Sequence, residues 1–292
     1  MNQFIIYVAL ILLGLCFGSF AGASVWRLRA RQLIQDKADG EKYNQKEYDK
    51  LQKIINKNLV KDRSKCLNCG YTLEWYDMIP LASWISLGGK CRKCKAKIGW
   101  LEPLIEFGVA AFFVISYALW PYSLTGFWGV TRFGLWLIAG IAFAILFAYD
   151  KKWFLLPDRV NYTVIALGLV NSLLFVIFAF DKTAALLNVV GSALILSGLY
   201  MFLYLISKGK WIGFGDIKLG LGLALLLADW KLAFIALFAA NLIGCLIVLP
   251  AMIVGKLKRD SHVPFGPLLI AGTFLAGLLG NYLIDMFIYS LL

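Results

Sequence analysis

Long apolar runs separated by short clusters of charge dominate this chain. They extend from about Phe4 to Trp26, Pro103 to Tyr122, Phe133 to Tyr149, Val160 to Phe180, Ala184 to Ile206, Ile217 to Ala228, Leu232 to Gly255 and Pro264 to Leu291. A helix crossing the hydrocarbon core of a bilayer needs about 20 mostly apolar residues. The pattern therefore predicts an all-α polytopic membrane protein with about eight transmembrane helices. The sixth run, only 12 residues long, is too short to cross unaided. It predicts either a span lengthened by its flanks, Gly213 to Asp229, or a partly re-entrant element buried in protein. The chain thus divides into a first helix (residues 1–26), a polar loop (27–102) and a membrane core of about seven helices (103–292).

Composition agrees. Of the 292 residues 61% are hydrophobic and only 16% charged, at a mean hydropathy of +0.75, which excludes a soluble globular domain and a disordered chain alike. The net charge of +12 would raise the question of nucleic acid in a soluble protein, but its distribution follows the positive-inside rule, and no nucleic-acid partner is expected. The loop at 27–102 carries 17 Lys and Arg and is placed in the cytoplasm. Alternation from there puts Lys151, Lys152, Arg159, Lys208, Lys210, Lys218, Lys256, Lys258 and Arg259 on the same side, leaving Arg132, Lys182 and Lys231 outside, so that 26 of 29 positive charges agree with one topology. Both termini then face outward. Ala21-Gly22-Ala23 looks like a signal-peptide cleavage site, yet the basic residues follow the apolar run instead of preceding it, so the first run is read as a retained helix.

Six cysteines divide into two classes. Cys16 and Cys245 lie inside apolar spans and act as small hydrophobes, whereas Cys66, Cys69, Cys91 and Cys94 form Cys-x2-Cys, 21 residues, Cys-x2-Cys in the basic loop. Two such turns can complete the four-sulfur tetrahedral shell of a structural zinc ion, and a cytoplasmic location argues against disulfides. A closed site of this kind (66–94) would clamp the Gly- and Lys-rich stretch from Gly88 to Gly99 and leave catalysis to other residues. Residues 35 to 65, with Tyr43 and Tyr48 among charges, are read as a solvated helix or flexible insert without chemistry.

With His262 the only histidine, triad chemistry is poorly supplied, and carboxylates at helix ends in the membrane become the functional candidates. Asp150 closes the third run and Asp216 opens the sixth after Gly213-Phe214-Gly215, both at the cytoplasmic end of the derived topology. Two carboxylates held close share a proton: the ionised one activates water and the protonated one polarises a scissile carbonyl, which hydrolyses peptide bonds without a metal. Gly213 and Gly215 would let a substrate backbone approach. Asp158, after Pro157, is read as an N-cap of the fourth helix instead of a catalytic acid. Glu106 sits either near the same pocket or at the interface reaching toward water, and Lys218 is read as an interfacial anchor.

At this point the residues carry a resemblance. The chain resembles the type IV prepilin peptidases, a membrane aspartyl protease family marked by Gly-x-Gly-Asp. The likeness rests on Gly18-Ser19-Phe20, the four cysteines with Gly88-Gly89-Lys90-Cys91, Pro103-Leu104-Ile105-Glu106, Asp150 with Leu156-Pro157-Asp158, Gly213-Phe214-Gly215-Asp216-Ile217-Lys218 and Pro264-Phe265-Gly266-Pro267, in order along the chain. It implies a bacterial inner-membrane aspartic endopeptidase with Asp150 and Asp216 as the catalytic pair, supported by Gly213, Gly215, Lys218 and Glu106. Its substrates would be type IV prepilins or pseudopilins, cut at the cytoplasmic membrane face. It also implies N-methylation of the new terminal residue with S-adenosylmethionine. Gly22 stands where many relatives have Asn, and Leu101-Glu102 replaces the usual Arg-Tyr. The rival class is an ion-coupled transporter using Asp150, Asp216 and Glu106, which predicts acids near the midplane and matched broken helices in inverted repeats. A zinc-stabilised scaffold without catalysis would leave the aspartates unexplained.

Overall fold

The computed structural model describes residues 3–54, 63–256 and 262–291. Lys258 and Arg259, assigned above to an inner loop, lie outside the described residues. The chain divides into two units, Met1–Val114 and Ile115–Leu292. Seven helices are long and apolar enough to cross a membrane, and no strands occur among the described residues.

In the first unit, helix α1 (Gln3–Ala38) continues well past the end of its apolar run. Its polar extension is built for packing. Ala30 and Leu33 form a small core with Leu51 and Ile54, flanked by Trp26, Tyr43, Tyr48 and Leu67. The segment that closes this core contains α2 (Gln45–Leu51), whose first turn is capped by the Asn44 side chain and tied to α1 by an Arg29–Glu47 ion pair of 2.7 Å. Over residues 43–54 the expected solvated insert is therefore a folded cap on α1, with the two tyrosine rings in tilted contact at 5.5 Å. Two short turns of helix follow, a 3-10 turn at Trp75–Met78 and α3 at Ala82–Ser86, before α4 (Leu101–Ala118). Helices α1 and α4 meet along Gly14 and Gly18, where a Cβ would strike the backbone of Ala110 and Glu106. This is the small-xxx-small spacing that lets membrane helices approach at backbone distance.

The second unit begins with α5 (Gly126–Trp153), which absorbs both Arg132 and Asp150 into one long helix. Helix α6 (Asp158–Phe178) follows. The fifth apolar run becomes α7 (Lys182–Ala193), a π turn at Leu194–Gly198 and α8 (Leu199–Ser207). Then come α9 (Phe214–Leu227), α10 (Trp230–Ile253) and α11 (Gly266–Leu291).

The short sixth run is α9, and its 14 residues give a length of about 21 Å, well under a bilayer core of about 30 Å. Nearly all of it is buried, from Ile217 through Leu227 with few gaps. A helix that ends inside apolar surroundings leaves carbonyls without partners, and its neighbours supply them. Asn171 Nδ2 donates to the carbonyls of Leu225 and Leu226, Ser172 Oγ to Leu225, and Ser192 Oγ to Ala224. The backbone then reverses at Ala228, in the left-handed region at φ 52, and Asp229 caps α10 by accepting from Lys231 and Leu232. Glycines set the contact: Gly222 presses on Val164 of α6, and Gly168 on the Gly222 carbonyl. The observed helix fills most of the flank-extended range Gly213 to Asp229 and is at the same time buried in protein.

Candidate functional site

The geometry of the second unit gathers three of the sequence motifs around Asp150 and Asp216. Asp150 lies in the last turn of α5 and is 5% exposed. The helix stops at Phe154, whose left-handed backbone (φ 55) returns its N–H to the Asp150 carbonyl. Leu155, Leu156 and an extended Pro157 then lead into α6. Asp216 lies in the first turn of α9, and Leu156 touches both the glycine that precedes Asp216 and the glycine that contacts Asp150.

Leu156 is the wedge between the motifs. A Cβ at Gly215 would meet its Cβ at 3.1 Å, and a Cβ at Gly266 would meet its Cδ2 at 3.1 Å. The glycines of Gly-x-Gly-Asp thus make room for the protein's own chain: Gly215 for Leu156, and Gly213 for the Asp216 carboxylate, 3.3 Å from where its Cβ would be. Asn161 of α6, fully buried, donates to the Gly215 carbonyl at 3.2 Å and fixes the same turn.

Gly266, part of the Pro264-Phe265-Gly266-Pro267 motif, has a contact that the motif alone does not show. Its N–H, at the start of α11, donates to Asp150 Oδ2 at 3.0 Å. Any side chain there would lie 2.9 Å from that oxygen. The available signal was glycine before proline at a helix start, since such an N-terminus presents free N–H groups to an anion.

Asp158 corrects the capping expectation. Pro157 occupies the N-cap position without a side-chain bond, and Asp158, already helical, pairs with Lys218 Nζ at 2.7 Å. Lys218 is held as well over the rings of Tyr162 and Phe214, at 5.2 and 5.1 Å. It bridges α9 to α6 instead of reaching out as a free anchor. Because the Asp158 side chain is 58% exposed, the pair is worth at most about 1 kcal/mol. Asp158→Asn is expected to keep substrate cleavage within about threefold of wild type in a detergent assay.

Glu106 belongs to the first unit. It is buried, not turned to water, and its Oε2 accepts from the Leu81 N–H at 2.8 Å. Leu81 has φ 55 at the centre of a tight turn in which Ala82 N–H reaches the Pro80 carbonyl at 2.5 Å, a strained conformation for a residue other than glycine. The two departures from the family pattern adjoin: a Cβ on Gly22 would lie 3.9 Å from Glu102 Cα, and Trp26 Nε1 donates to Glu102 Oε1 at 2.8 Å.

The four loop cysteines converge as expected, with all sulfurs within 4.8 Å of one another and Cys66 and Cys94 3.9 Å apart. Each pair sits on the same kind of turn. Cys66 N–H bonds the Tyr71 carbonyl and Gly70 N–H returns to Cys66, while Cys91 N–H bonds Ala96 and Lys95 N–H returns to Cys91. Gly70 and Lys95 hold equivalent left-handed positions at φ 72 and 57. Burial pushes the Cys66 thiol up to about 12, whereas the Ala96 backbone and the Asn68 amide pull Cys94 down to about 6. The cluster can hold a metal ion.

Comparison with known proteins follows the same division. Residues 12–120 match the family model described as the bacterial peptidase A24 N-terminal domain, and residues 137–249 match the type IV leader peptidase family. A prepilin leader peptidase/N-methyltransferase of Pseudomonas aeruginosa is 30% identical over 93% of this chain and 89% of its own length. The protein of that name from Aeromonas salmonicida is 27% identical over 98% and 96%, and that of Burkholderia pseudomallei 32% over 74% and 66%. No solved structure matches. On sequence motifs, helical architecture and these relatives together, the chain belongs to the type IV leader peptidase family.

Proposed function

We propose that this protein is an inner-membrane aspartic endopeptidase that removes the basic leader of type IV prepilins or pseudopilins, with Asp150 and Asp216 as its catalytic pair. The observation that carries the reading is the pairing of two carboxyls on separate helix ends, one of them held by the Gly266 N–H. The ionised member of the pair takes a proton from water as the water oxygen attacks the scissile carbonyl carbon. The protonated member hydrogen-bonds the carbonyl oxygen, and the leaving nitrogen takes up a proton as the C–N bond breaks. The charge distribution supports a site at the cytoplasmic face, where a basic leader ahead of an apolar helix presents its junction.

The relatives' names pair peptidase with N-methyltransferase, and we extend the second activity to this chain. S-adenosylmethionine is a sulfonium cation, and the first unit offers it fitting groups. Glu102 Oε2 and Trp84 Nε1 are buried without hydrogen-bond partners, and the Trp84 and Trp100 rings stand 4.5 Å apart. When bound, the cofactor supplies the methyl group for the new terminal amine. Glu102 would hold its positive charge and the indoles its flat face.

The metal at the four cysteines is proposed to be zinc. Sulfurs at about 2.3 Å from a tetrahedral ion lie about 3.8 Å apart, close to the Cys66–Cys94 spacing. The test of the function is mass spectrometry of a prepilin-like substrate incubated with purified protein, with and without S-adenosylmethionine. Loss of the leader supports the peptidase, and a further methyl on the mature terminus supports the transferase. An intact substrate across several pilins, with folded protein, would favour the transporter class.

A further inference from the structure

Beside the proposed dyad lies a buried titratable group that the mechanism does not use. Tyr200, in the first turn of α8, is 4% exposed, and its hydroxyl is buried with no hydrogen-bond partner. Buried tyrosines ordinarily find a partner for the O–H, because leaving it unpaired costs stability. Asn241 of α10 is the polar side chain facing the hydroxyl; its Nδ2 donates to the Leu237 carbonyl at 2.8 Å, and no Asn241–Tyr200 bond of full hydrogen-bond geometry forms.

The fold places this phenol by a specific device. The π turn at Leu194–Gly198 inserts one residue into the helix, and one extra residue rotates everything after it by about 100° relative to an unbroken helix. The insertion is locked to α9: Ser197 Oγ donates to the Ile217 carbonyl at 3.1 Å, and Gly220 admits the Leu196 carbonyl where a Cβ could not fit. The same helix carries Asp216 in its first turn, so the bulge and the acid are registered to each other. The Tyr200 ring then stands edge-on to Phe265 at 5.3 Å. Phe265 directly precedes Gly266, whose N–H holds Asp150. The Asp216 carboxyl acts electrostatically on the Tyr200 hydroxyl. A π turn of this kind is frequent at functional positions, and here it sets Tyr200 against Phe265, the neighbour of the glycine that holds Asp150.

We infer that Tyr200 is a third catalytic group of the peptidase, its hydroxyl donating a hydrogen bond to the oxygen of the scissile carbonyl as that oxygen gains negative charge. The inference rests on the dyad reading. An unperturbed phenol is protonated at neutral pH, so the donor is present throughout the cycle, keeps its proton, and needs no other reactant. Its lack of a partner in the free protein is then the preorganisation that an oxyanion donor requires.

The test is Tyr200→Phe in the full-length protein in detergent, read by kcat and KM on a prepilin-like substrate and by thermal unfolding. Removing one oxyanion donor lowers kcat by about 10²-fold. KM is expected to change less than about twofold, since the contact is made only as charge develops. The unfolding temperature is expected to stay or rise, because the change removes an unpaired buried hydroxyl and keeps the ring against Phe265. Wild-type kcat, a rise in KM alone, or a fall in kcat matched by a fall in unfolding temperature would each overturn the assignment. Affinity for a statine-type peptide, whose hydroxyl mimics the tetrahedral oxygen, should fall with the same substitution, and unchanged affinity would overturn it too. Asp150→Asn and Asp216→Asn run in parallel separate the two readings. If those variants are dead and Tyr200→Phe is normal, only Tyr200 loses its role; if they still cleave, the dyad itself fails.

Discussion

Replacing Asp150 or Asp216 by Asn is expected to reduce leader cleavage by about 10³-fold or more, while each protein still folds and inserts. Asn keeps the shape of the side chain. At position 150 its carbonyl oxygen can still accept the Gly266 N–H now given to Oδ2 at 3.0 Å, and at position 216 it still fits beside Gly213. What it cannot do is exchange a proton with water or share one across the pair, the step the proposed mechanism assigns to the two acids. Mass spectrometry of the substrate measures cleavage and thermal unfolding in detergent measures folding. Cleavage at near wild-type rate by either variant would remove the dyad from the mechanism.

The second large effect is expected from the cysteine loop. Replacing Cys66 and Cys91 together by Ser should take bound zinc from about one ion per chain to none and expose residues 63–100 to proteolysis. The reason is the near absence of anything else to hold that stretch. Among residues 63–100 only Gly89 and Cys91 are buried, so there is no apolar core whose burial could replace the ion. The remaining ties include the Arg92–Asp77 ion pair, the tilted contact of Trp84 with Trp100, the Leu81 N–H on Glu106 and Leu67 at the edge of the α1 core. Structural zinc sites in small modules contribute on the order of 10 kcal/mol or more at neutral pH. Chelation of the wild type should produce the same protease sensitivity, and more readily at lower pH, where protons compete with the ion for the thiolates. Purified wild-type protein without zinc would refute the assignment.

Much of this architecture is legible in the chain because it depends on local pattern. Apolar runs give the crossings, and the helices over Leu101–Ala118 and Asp158–Phe178 begin within two residues of the positions expected. Cysteine spacing gives the metal cluster because each pair lies on one turn. The acids stand out because charge at the end of an apolar run is costly and therefore conspicuous.

What escaped depends on contacts between segments far apart in sequence. Gly266 binds Asp150 across 116 residues, and nothing near Gly266 announces its partner. The π turn at Leu194–Gly198 lies in a run whose hydropathy is that of any spanning helix. Asp158 has the residue type of an N-cap, but Pro157 takes that position and Lys218, 60 residues away, takes the carboxylate. The stretch from 35 to 65 reads as solvated because the residues that pack it on α1, Leu51 and Ile54, are few and spaced among polar ones.

The short helix α9 also bears on how the protein is made. Fourteen residues do not suffice to be recognised as an independent membrane segment, so α9 cannot be committed to the bilayer on its own hydrophobicity. The side chains that complete its C-terminal carbonyls, Asn171, Ser172 and Ser192, all belong to helices synthesised before it. A nascent chain emerging N-terminus first therefore meets a ready-made socket. The segment carrying Asp216 is placed last among these elements, and the proposed catalytic pair comes together only once α6 and α7 are in the membrane to receive it.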